Sequence, residues 1–322
     1  MQTDKLIALN SFHAPGFGEL VPGEGSCKSI HGTADKKSVF ISFNSGETMV
    51  TFPTKIGVPA YYPVRDLKVP KKISAVLMDL DGTSVHSEHF WMWVIQSVTA
   101  ELLGQPFFKL EKEDLPHVSG FSVSEHLQYC ISKYCQVKKS ATLEHARDIY
   151  FRIVHRELQN VLQGKPVVEP AFEPAPQLKE LLLFLKEKKI KIGLVSSGLE
   201  EKSIPEIKAA FDKLEMGNPL EFYDAVVTAG QSVKRGHAGT LGELEPKPHP
   251  WLYLEALHVL NVPKDEVLGI EDSGAGILSL VAGQVPAVGL GGGNVESGGE
   301  KSLCNLYFDD LPGFFQWLKG VV

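Results

Sequence analysis

The chain has 322 residues, of which 43% are hydrophobic and 22% are charged, and its formal net charge at pH 7 is −7. This length is sufficient for two or three domains with their own hydrophobic cores. Proteins that bind nucleic acids or anionic membranes present a basic face, so the charge argues against both as general partners, and an anionic substrate would depend on local positive charge.

No apolar run reaches the ~18 residues of a transmembrane helix. The first residues, "MQTDKLIALNSFHAPG", lack the pattern of a signal peptide. Four cysteines in a chain of this length do not make a disulfide framework. We therefore expect reduced cysteines and a cytoplasmic protein with no membrane partner, and the sequence leaves the oligomeric state open.

Residues 1–70 predict an N-terminal extension that contains a β-hairpin. "SVFISF" (38–43) and "TMVTF" (48–52) flank the turn residues "NSGE". The residues before the hairpin have no clear period, and residues 56–72 look like an extended connection. No function is assigned to this region, and a structural extension or an oligomer contact is favoured over contact with a ligand.

From residue 73 onward, short apolar runs alternate with helical patterns. The predicted strands are 73–78, 190–195, 223–227, 267–270, 286–290 and 305–308, and the predicted helices are 176–188, 200–215, 250–261 and 273–282. Strands that are hydrophobic almost throughout indicate a parallel sheet covered on both faces. The alternation predicts an α/β fold with a doubly wound, Rossmann-like core over residues 71–90 and 165–322. Any active site is expected at the carboxyl ends of the strands.

The long segment between the first two predicted strands contains helical patterns instead. Helices are predicted over 87–103, 122–134 and 143–162, and Gly104 and Gly164 end the first and the last. Residues 91–164 therefore predict a helical domain inserted into the core.

Two aspartates, Asp79 and Asp81, follow the first predicted strand in "AVLMDLDGT" (75–83). Gly82 permits a sharp turn there, which would direct both carboxylates into the crevice above the sheet. Two such carboxylates repel each other, so a site retains them for a cation, for acid–base chemistry or for both. An N-cap aspartate beside a surface-turn aspartate is the plain alternative.

Three later motifs also stand at strand ends. "IGLVSSG" (192–198) supplies hydroxyl and backbone donors suited to phosphate oxygens, from Ser196, Ser197 and Gly198. "EPKPHP" holds Lys247 between two prolines, a stiff mount for one positive charge. "VLGIEDSGAGI" ends a strand in Glu271 and Asp272 and then opens a helix. Each motif alone has an ordinary explanation, but the chance occurrence of four of them in this order is improbable.

In these four motifs the chain resembles the haloacid dehalogenase superfamily over about residues 71–320. "DLDGT" (79–83), Ser196, Lys247 and "EDSGAG" (271–276) look like its four motifs. The resemblance implies a phosphatase or phosphomutase branch, and the helical insertion stands where the family carries an α-helical cap domain.

The resemblance also implies roles. Asp79 would be the nucleophile that forms an aspartyl-phosphate, and Asp81 the general acid and base. Mg²⁺ would be held by Asp79, Asp272 and the Asp81 carbonyl, with Glu271 as a further acidic contact. Similar enzymes that dehalogenate lack the second aspartate, so Asp81 points to phosphoryl chemistry.

Ser196 would hold the phosphoryl group, with Ser197 and Gly198 beside it, and Lys247 would offset its charge. The sequence departs from the family at His86, where many members have an aspartate. This histidine could contact substrate, although a hinge residue without a ligand role is favoured.

Two loops leave their roles open. Gly120, in "HVSGFS" (117–122), stands where similar proteins carry a substrate-specificity loop, although a helix–helix turn explains it nearly as well. Residues 234–245, with Lys234, Arg235 and His237, could border the pocket or form a solvated loop. "GLGGGN" (289–294) lacks the spacing of a dinucleotide fingerprint.

The sequence thus favours a Mg²⁺-dependent phosphatase of a small phosphorylated metabolite. The alternative is a phosphosugar mutase of the same fold. A phosphonate-cleaving enzyme would need a Schiff-base lysine in the cap, for which Lys133, Lys138 and Lys139 are available but unmarked. A non-catalytic binding protein that retains the fold is disfavoured because every catalytic position is filled.

Overall fold

The computed structural model describes residues 6–34, 37–54, 59–111, 113–114, 123–136, 140–165, 171–229 and 246–322. The chain divides into two compact units. The first comprises Met1–Ser84, Ala175–Ser203 and Asn218–Val322, and the second comprises Val85–Pro174 and Ile204–Gly217.

In the described residues from 173 onward, each strand is followed by a helix. The strands are β1 (Ile7–Ala8), β2 (Phe12–Ala14), β3 (Gly18–Leu20), β4 (Cys27–Gly32), β5 (Val39–Phe43), β6 (Thr48–Phe52), β7 (Ala60–Val64), β8 (Ala75–Asp79), β9 (Val85–His86), β10 (Glu173–Pro174), β11 (Lys191–Val195), β12 (Ala225–Val227), β13 (Val267–Glu271), β14 (Ala287–Leu290) and β15 (Leu306–Phe308). The helices are α1 (Glu88–Leu103), α2 (Val123–Tyr134), α3 (Leu143–Leu162), α4 (Leu178–Glu187), α5 (Glu200–Leu214), α6 (Pro219–Phe222), α7 (Trp251–Leu260), α8 (Gly274–Gly283), α9 (Val295–Gly298) and α10 (Leu311–Lys319).

In the first unit, a five-stranded antiparallel sheet has the order β1-β4-β5-β6-β7. Strands β5 and β6 form the predicted hairpin, with Val39 opposite Thr51. Phe40, Val50 and Phe52 of this sheet form one buried apolar cluster with residues of α8. The N-terminal residues therefore share a core with the helix that begins within the "EDSGAG" motif.

The prediction of an extended connection over 56–72 was wrong for residues 60–64, which form the paired strand β7. Pro63 cannot donate to a ladder, but β7 is an edge strand and tolerates it. The segment before the hairpin also contains β4, which pairs with β5. A register shift between Cys27 and Ser29 interrupts the alternation of β4 and hides its period in the sequence.

The Rossmann-like core predicted from the sequence contains a six-stranded parallel sheet of order β12-β11-β8-β13-β14-β15. It confirms all six predicted strands, and α4, α5, α7 and α8 confirm the four predicted helices. Every residue of β8 and β13 is buried, as expected for central strands of a covered parallel sheet.

The strand register brings the predicted motifs to one edge of this sheet. Val195 of β11 lies opposite Asp79 of β8, and Ile270 of β13 lies opposite Met78. Because β11, β8 and β13 run in the same direction, their carboxyl ends place Ser196, Asp79 and Glu271 side by side.

The second unit contains α1, α2, α3 and the short antiparallel pair β9-β10. Gly104 ends α1 in the left-handed conformation, and its N–H reaches the carbonyls of Ala100 and Glu101. The hydroxyl of Thr142 accepts from the backbone N–H of His145 and caps α3. The helices predicted over 87–103, 122–134 and 143–162 are confirmed. Among the helices of the described residues, none combines the length and the hydrophobicity that a membrane span requires.

Candidate active site

Asp79 is the last residue of β8 and is only 6% exposed. The hydroxyl of Ser84 donates to the Asp79 carbonyl at 2.6 Å and closes the turn that follows the strand. Gly82 has a φ of +81°, and a Cβ at this position would lie 2.1 Å from Asp272 Oδ2. The turn therefore needs glycine for its backbone angle and for the close approach of Asp272.

Lys247 bridges two buried carboxylates. Its Nζ forms ion pairs with Asp79 Oδ1 and with Glu271 Oε1, the latter at 2.6 Å, and donates to the Val195 carbonyl at 2.9 Å. Burial lowers the pKa of Lys247, but the carboxylates of Asp79 and Glu271 outweigh this and raise it above its ordinary value. The ammonium group therefore stays charged beside Asp79.

Asp79, Glu271 and Asp272 form a compact acidic cluster, with one ligand oxygen from each all within 4.8 Å of one another. Burial, followed by the charge of Glu271, raises the pKa of Asp79 well above its usual range, although Lys247 opposes this. When all three groups are ionised, three carboxylates beside one ammonium leave two net negative charges. A divalent cation that prefers oxygen ligands fits this donor set.

Several side chains fix Glu271. Tyr253 Oη donates to Glu271 Oε1 at 2.5 Å and Ser273 Oγ donates to Oε2 at 3.0 Å. Lys247 Nζ lies 5.1 Å from the centre of the Tyr253 ring. A Cβ on Gly276 would lie 1.8 Å from the Glu271 carboxyl carbon, so the small residues of "EDSGAG" make room for this carboxylate.

Asp272 is held from the turn that follows β8. Thr83 Oγ1 donates to Asp272 Oδ1 at 3.0 Å, and both residues are buried. The threonine of "DLDGT" therefore orients one carboxylate of the acidic cluster, a role that was not assigned from the sequence.

Asp81 is the more accessible of the two aspartates, with its side chain 35% exposed. Lys202, from the start of α5, donates to Asp81 Oδ1 at 2.9 Å. Lys202 stands 121 residues away in the sequence. No motif marks it, so it could not be identified as a site residue before the fold was known.

Ser196 is 1% exposed and sits directly after β11. Its Oγ accepts from the Gly198 N–H at 2.9 Å and from Ser203 Oγ at 3.1 Å. Ser197 is exposed, and its Oγ accepts from the Lys247 N–H at 3.2 Å. The loop after β11 is thus tied to the loop that carries Lys247.

Other predicted residues lie elsewhere or outside the described residues. His86 is exposed in β9 of the second unit, opposite Glu173 of β10. Gly120, the loop residues Lys234, Arg235 and His237, and the lysines Lys138 and Lys139 all lie outside the described residues.

Lys133 forms ion pairs with Asp114 at 2.7 Å and Glu111 at 2.8 Å. Hydrogen bonds to Asp114 and Glu111 raise the pKa of Lys133. A Schiff-base lysine needs an unprotonated amine, so these contacts argue against Lys133 in that role.

Comparison with known proteins shows the family to which this chain belongs. Residues 73–283 match the family model described as haloacid dehalogenase-like hydrolase. A phosphorylated carbohydrates phosphatase of Thermotoga maritima is 29% identical over 64% of this chain and 79% of its own length. A β-phosphoglucomutase of Bacillus subtilis is 27% identical over 69% of this chain and 84% of its own length.

The fold matches a crystal structure of a HAD-superfamily hydrolase, subfamily IA, from Geobacter sulfurreducens PCA. The TM-score is 0.54 and the identity 17%, with 78% of this chain and 98% of that chain covered. This similarity confirms the predicted α/β fold class.

Proposed function

This chain belongs to the haloacid dehalogenase-like hydrolases, as its four motifs predicted, and we propose that it is a Mg²⁺-dependent phosphatase of a small phosphorylated metabolite. One observation carries the proposal. A buried aspartate, Asp79, lies against a fixed ammonium group in a cluster with two net negative charges, and a second aspartate, Asp81, follows two residues later.

Asp79 is the nucleophile of the proposed reaction. One of its carboxylate oxygens attacks phosphorus while the bond from phosphorus to the leaving oxygen breaks, which gives an aspartyl-phosphate. Asp81 gives its proton to the leaving oxygen and then takes a proton from the water that attacks phosphorus. The second step releases inorganic phosphate and restores Asp79. Lys247 stays charged throughout and stabilises the negative charge beside Asp79.

Asp79, Asp272 and the Asp81 carbonyl would hold the metal ion. Glu271 accepts bonds from Tyr253, Ser273 and Lys247, so we infer that it acts mainly by fixing Lys247 and by adding negative charge. When bound, Mg²⁺ would supply positive charge to the phosphoryl oxygens and to the acidic cluster.

The loop after β11 would bind the phosphoryl oxygens. Ser196 is positioned by Gly198 and Ser203, and Ser197 is exposed next to the backbone of Lys247. Hydroxyl and backbone donors at the start of a helix suit an anion.

A phosphomutase is the second candidate, favoured by the 27% identity to the β-phosphoglucomutase of B. subtilis. It would use the same aspartyl-phosphate but return the phosphoryl group to a sugar hydroxyl instead of water. The phosphorylated carbohydrates phosphatase of T. maritima supports hydrolysis and suggests a phosphorylated carbohydrate as the substrate class.

Phosphate release tests the proposal. The purified chain, freed of metal by exhaustive chelation, is assayed with p-nitrophenyl phosphate without and with added Mg²⁺, and then with a panel of phosphorylated carbohydrates. We expect release only with Mg²⁺ and saturable release from at least one carbohydrate. Full activity after metal removal would contradict the metal assignment. Conversion of a sugar phosphate to its isomer without free phosphate would favour the mutase.

A further inference from the structure

His249 stands two residues after Lys247 and is 2% exposed. Its imidazole contacts two groups of the N-terminal region. Nε2 lies 3.0 Å from the Pro53 carbonyl oxygen, directly after β6, and Nδ1 lies 2.9 Å from Tyr62 Oη in β7. The N-terminal sheet therefore contacts the segment that carries the lysine of the candidate active site.

The two contacts define the hydrogen-bonding pattern of the ring. A carbonyl oxygen can only accept, so Nε2 carries the proton and donates to Pro53. In the neutral imidazole, Nδ1 is then the acceptor for the hydroxyl of Tyr62. Both ring nitrogens of His249 are thus engaged by groups of the N-terminal sheet.

Packing and backbone bonds hold the same residue from other directions. The ring centre of His249 lies 5.5 Å from that of Phe52 and 5.9 Å from that of Tyr62, both in edge-to-face geometry. The His249 carbonyl accepts from Ser279 Oγ of α8 at 2.6 Å. The ring is therefore fixed by the N-terminal sheet and the backbone by α8.

We propose that the N-terminal sheet positions Lys247 through His249 and is in this way part of the catalytic apparatus. Lys247 has a long side chain whose Nζ must meet Asp79, Glu271 and the Val195 carbonyl together. Such a side chain is held in one place only if its backbone is held as well. His249 supplies that support two residues away, and this inference rests on the proposed function of Lys247.

The groups that hold the ring of His249 lie outside the family domain, whereas Ser279, which holds its backbone, lies within it. The family match begins at residue 73, whereas Pro53, Phe52 and Tyr62 precede it. This chain thus adds its own support to a catalytic loop of the family. The same contacts give residues 1–70 a task that the sequence left unassigned.

Tyr62→Phe tests the proposal, because it removes the hydroxyl and keeps the ring. Tyr61→Phe is the matched control, since its hydroxyl donates to the Pro15 carbonyl at 3.0 Å instead. With p-nitrophenyl phosphate and Mg²⁺, we expect Tyr62→Phe to lower kcat about fivefold at unchanged KM, the scale of one lost hydrogen bond. Tyr61→Phe should leave kcat unchanged, and equal kcat values for the two variants would contradict the proposal.

A double-mutant cycle with Lys247→Ala separates positioning from general stability. If Tyr62 acts through Lys247, Tyr62→Phe should change the single-turnover rate by less than about 1.5-fold when Lys247 is already absent. A loss that persists at full size in that background would overturn the proposal.

Amide hydrogen exchange gives a readout that does not depend on turnover. The His249 N–H donates to the Pro246 carbonyl at 3.0 Å, so its exchange reports the order of the Lys247 loop. We expect faster exchange over residues 246–254 in Tyr62→Phe and not in Tyr61→Phe. Unchanged exchange would overturn the positioning role. Faster exchange in a chain that hydrolyses no phosphate ester would retain the contact and reject the phosphatase function.

Discussion

A lysine bridges two carboxylates at two places in this chain, and the two clusters differ in their charge balance. The Lys247 cluster includes Asp79 and Glu271 in the first unit, and the Lys133 cluster includes Asp114 and Glu111 in the second. The pKa of Asp79 is raised well above its usual value, whereas that of Asp114 is lowered. Similar residue types therefore produce opposite electrostatic environments.

The carboxylate of Asp114 accepts four hydrogen bonds. Lys133 Nζ, Tyr129 Oη, Tyr134 Oη and the Glu111 N–H all donate to it, three of them at 2.7–2.8 Å. Burial raises the pKa of Asp114, but these hydrogen bonds outweigh it. A carboxylate satisfied in this way stabilises the fold and has no need of a ligand.

The Lys247 cluster is under-compensated because Asp272 adds a third carboxylate near one ammonium. Excess buried charge of one sign disfavours the folded state unless a cation or substrate offsets it. The contrast shows how a functional ion pair differs from a structural one. A lysine bridges two carboxylates in both clusters, so the difference between them lies in their charge balance.

The largest loss of activity is expected for a substitution of Asp79 in the Lys247 cluster. Asp79→Asn removes the nucleophile, so turnover of p-nitrophenyl phosphate should fall by at least ~10⁴-fold. Because the charged carboxylate is disfavoured in the folded state, the Tm in metal-free buffer should stay equal or rise. Steady-state kinetics and thermal unfolding measure the two effects. Normal turnover in this variant would void the nucleophile assignment.

The next largest loss of kcat/KM is expected for Lys247→Ala, with Lys133→Ala as its comparison. Lys247→Ala should lower kcat/KM by about 10²- to 10³-fold, as for other preorganised charges at a reacting centre. Lys133→Ala removes a lysine with the same kind of partners and should change kcat/KM by less than about threefold. If Lys247→Ala stays within twofold of the wild type, its ion pairs are structural, like those of Lys133.

The third prediction concerns thermal stability, which a substitution in the Lys133 cluster should lower and Asp79→Asn should not. Asp114→Asn should lower the Tm by about 5 °C at pH 7 through the loss of charge-assisted hydrogen bonds. Since the folded pKa of Asp114 is depressed, the stability it contributes is present above the unfolded value near 4 and is lost as the pH falls below it. The difference in Tm between wild type and variant should therefore shrink between about pH 5 and pH 2. Asp148→Asn, at an exposed position on α3, is the control, and a pH-independent difference would contradict this account.

The sequence was sufficient for the core sheet and for the acidic cluster. Apolar strands of a parallel sheet align their carboxyl ends, so polar residues at the ends of β8, β11 and β13 had to meet. Lys247 could be recognised by its proline-flanked motif. These features follow from local pattern and connectivity.

The remaining site contacts have no local signal. Tyr253 lies in the apolar sequence of α7 and looks like an ordinary core residue until the fold brings its hydroxyl to Glu271. Tyr62 and His249 are 187 residues apart. Pairing across such separations is set by the tertiary fold, as is the pairing of β7 at the edge of the N-terminal sheet.

The smallest expected effect concerns Lys202, which pairs with Asp81. Both side chains are about one-third exposed, and ion pairs of this kind contribute about 1 kcal/mol or less. Lys202→Met should therefore lower kcat only about threefold with an alkyl phosphate, whose leaving oxygen needs the proton of Asp81. The loss should be smaller with p-nitrophenyl phosphate, whose leaving group needs little protonation.

Lys208→Met is the matched control for Lys202, because Lys208 lies on the same helix and pairs with Asp212 at 3.3 Å. The measurement is kcat of both variants with the alkyl phosphate and with p-nitrophenyl phosphate. If the two variants have equal kcat values, the Lys202–Asp81 contact is an ordinary surface ion pair. A loss above about tenfold with both substrates would mean that Lys202 contacts the phosphoryl group itself. A small loss confined to the alkyl phosphate would indicate that Lys202 acts by orienting Asp81, and the difference between substrates then measures how much that orientation matters for proton transfer.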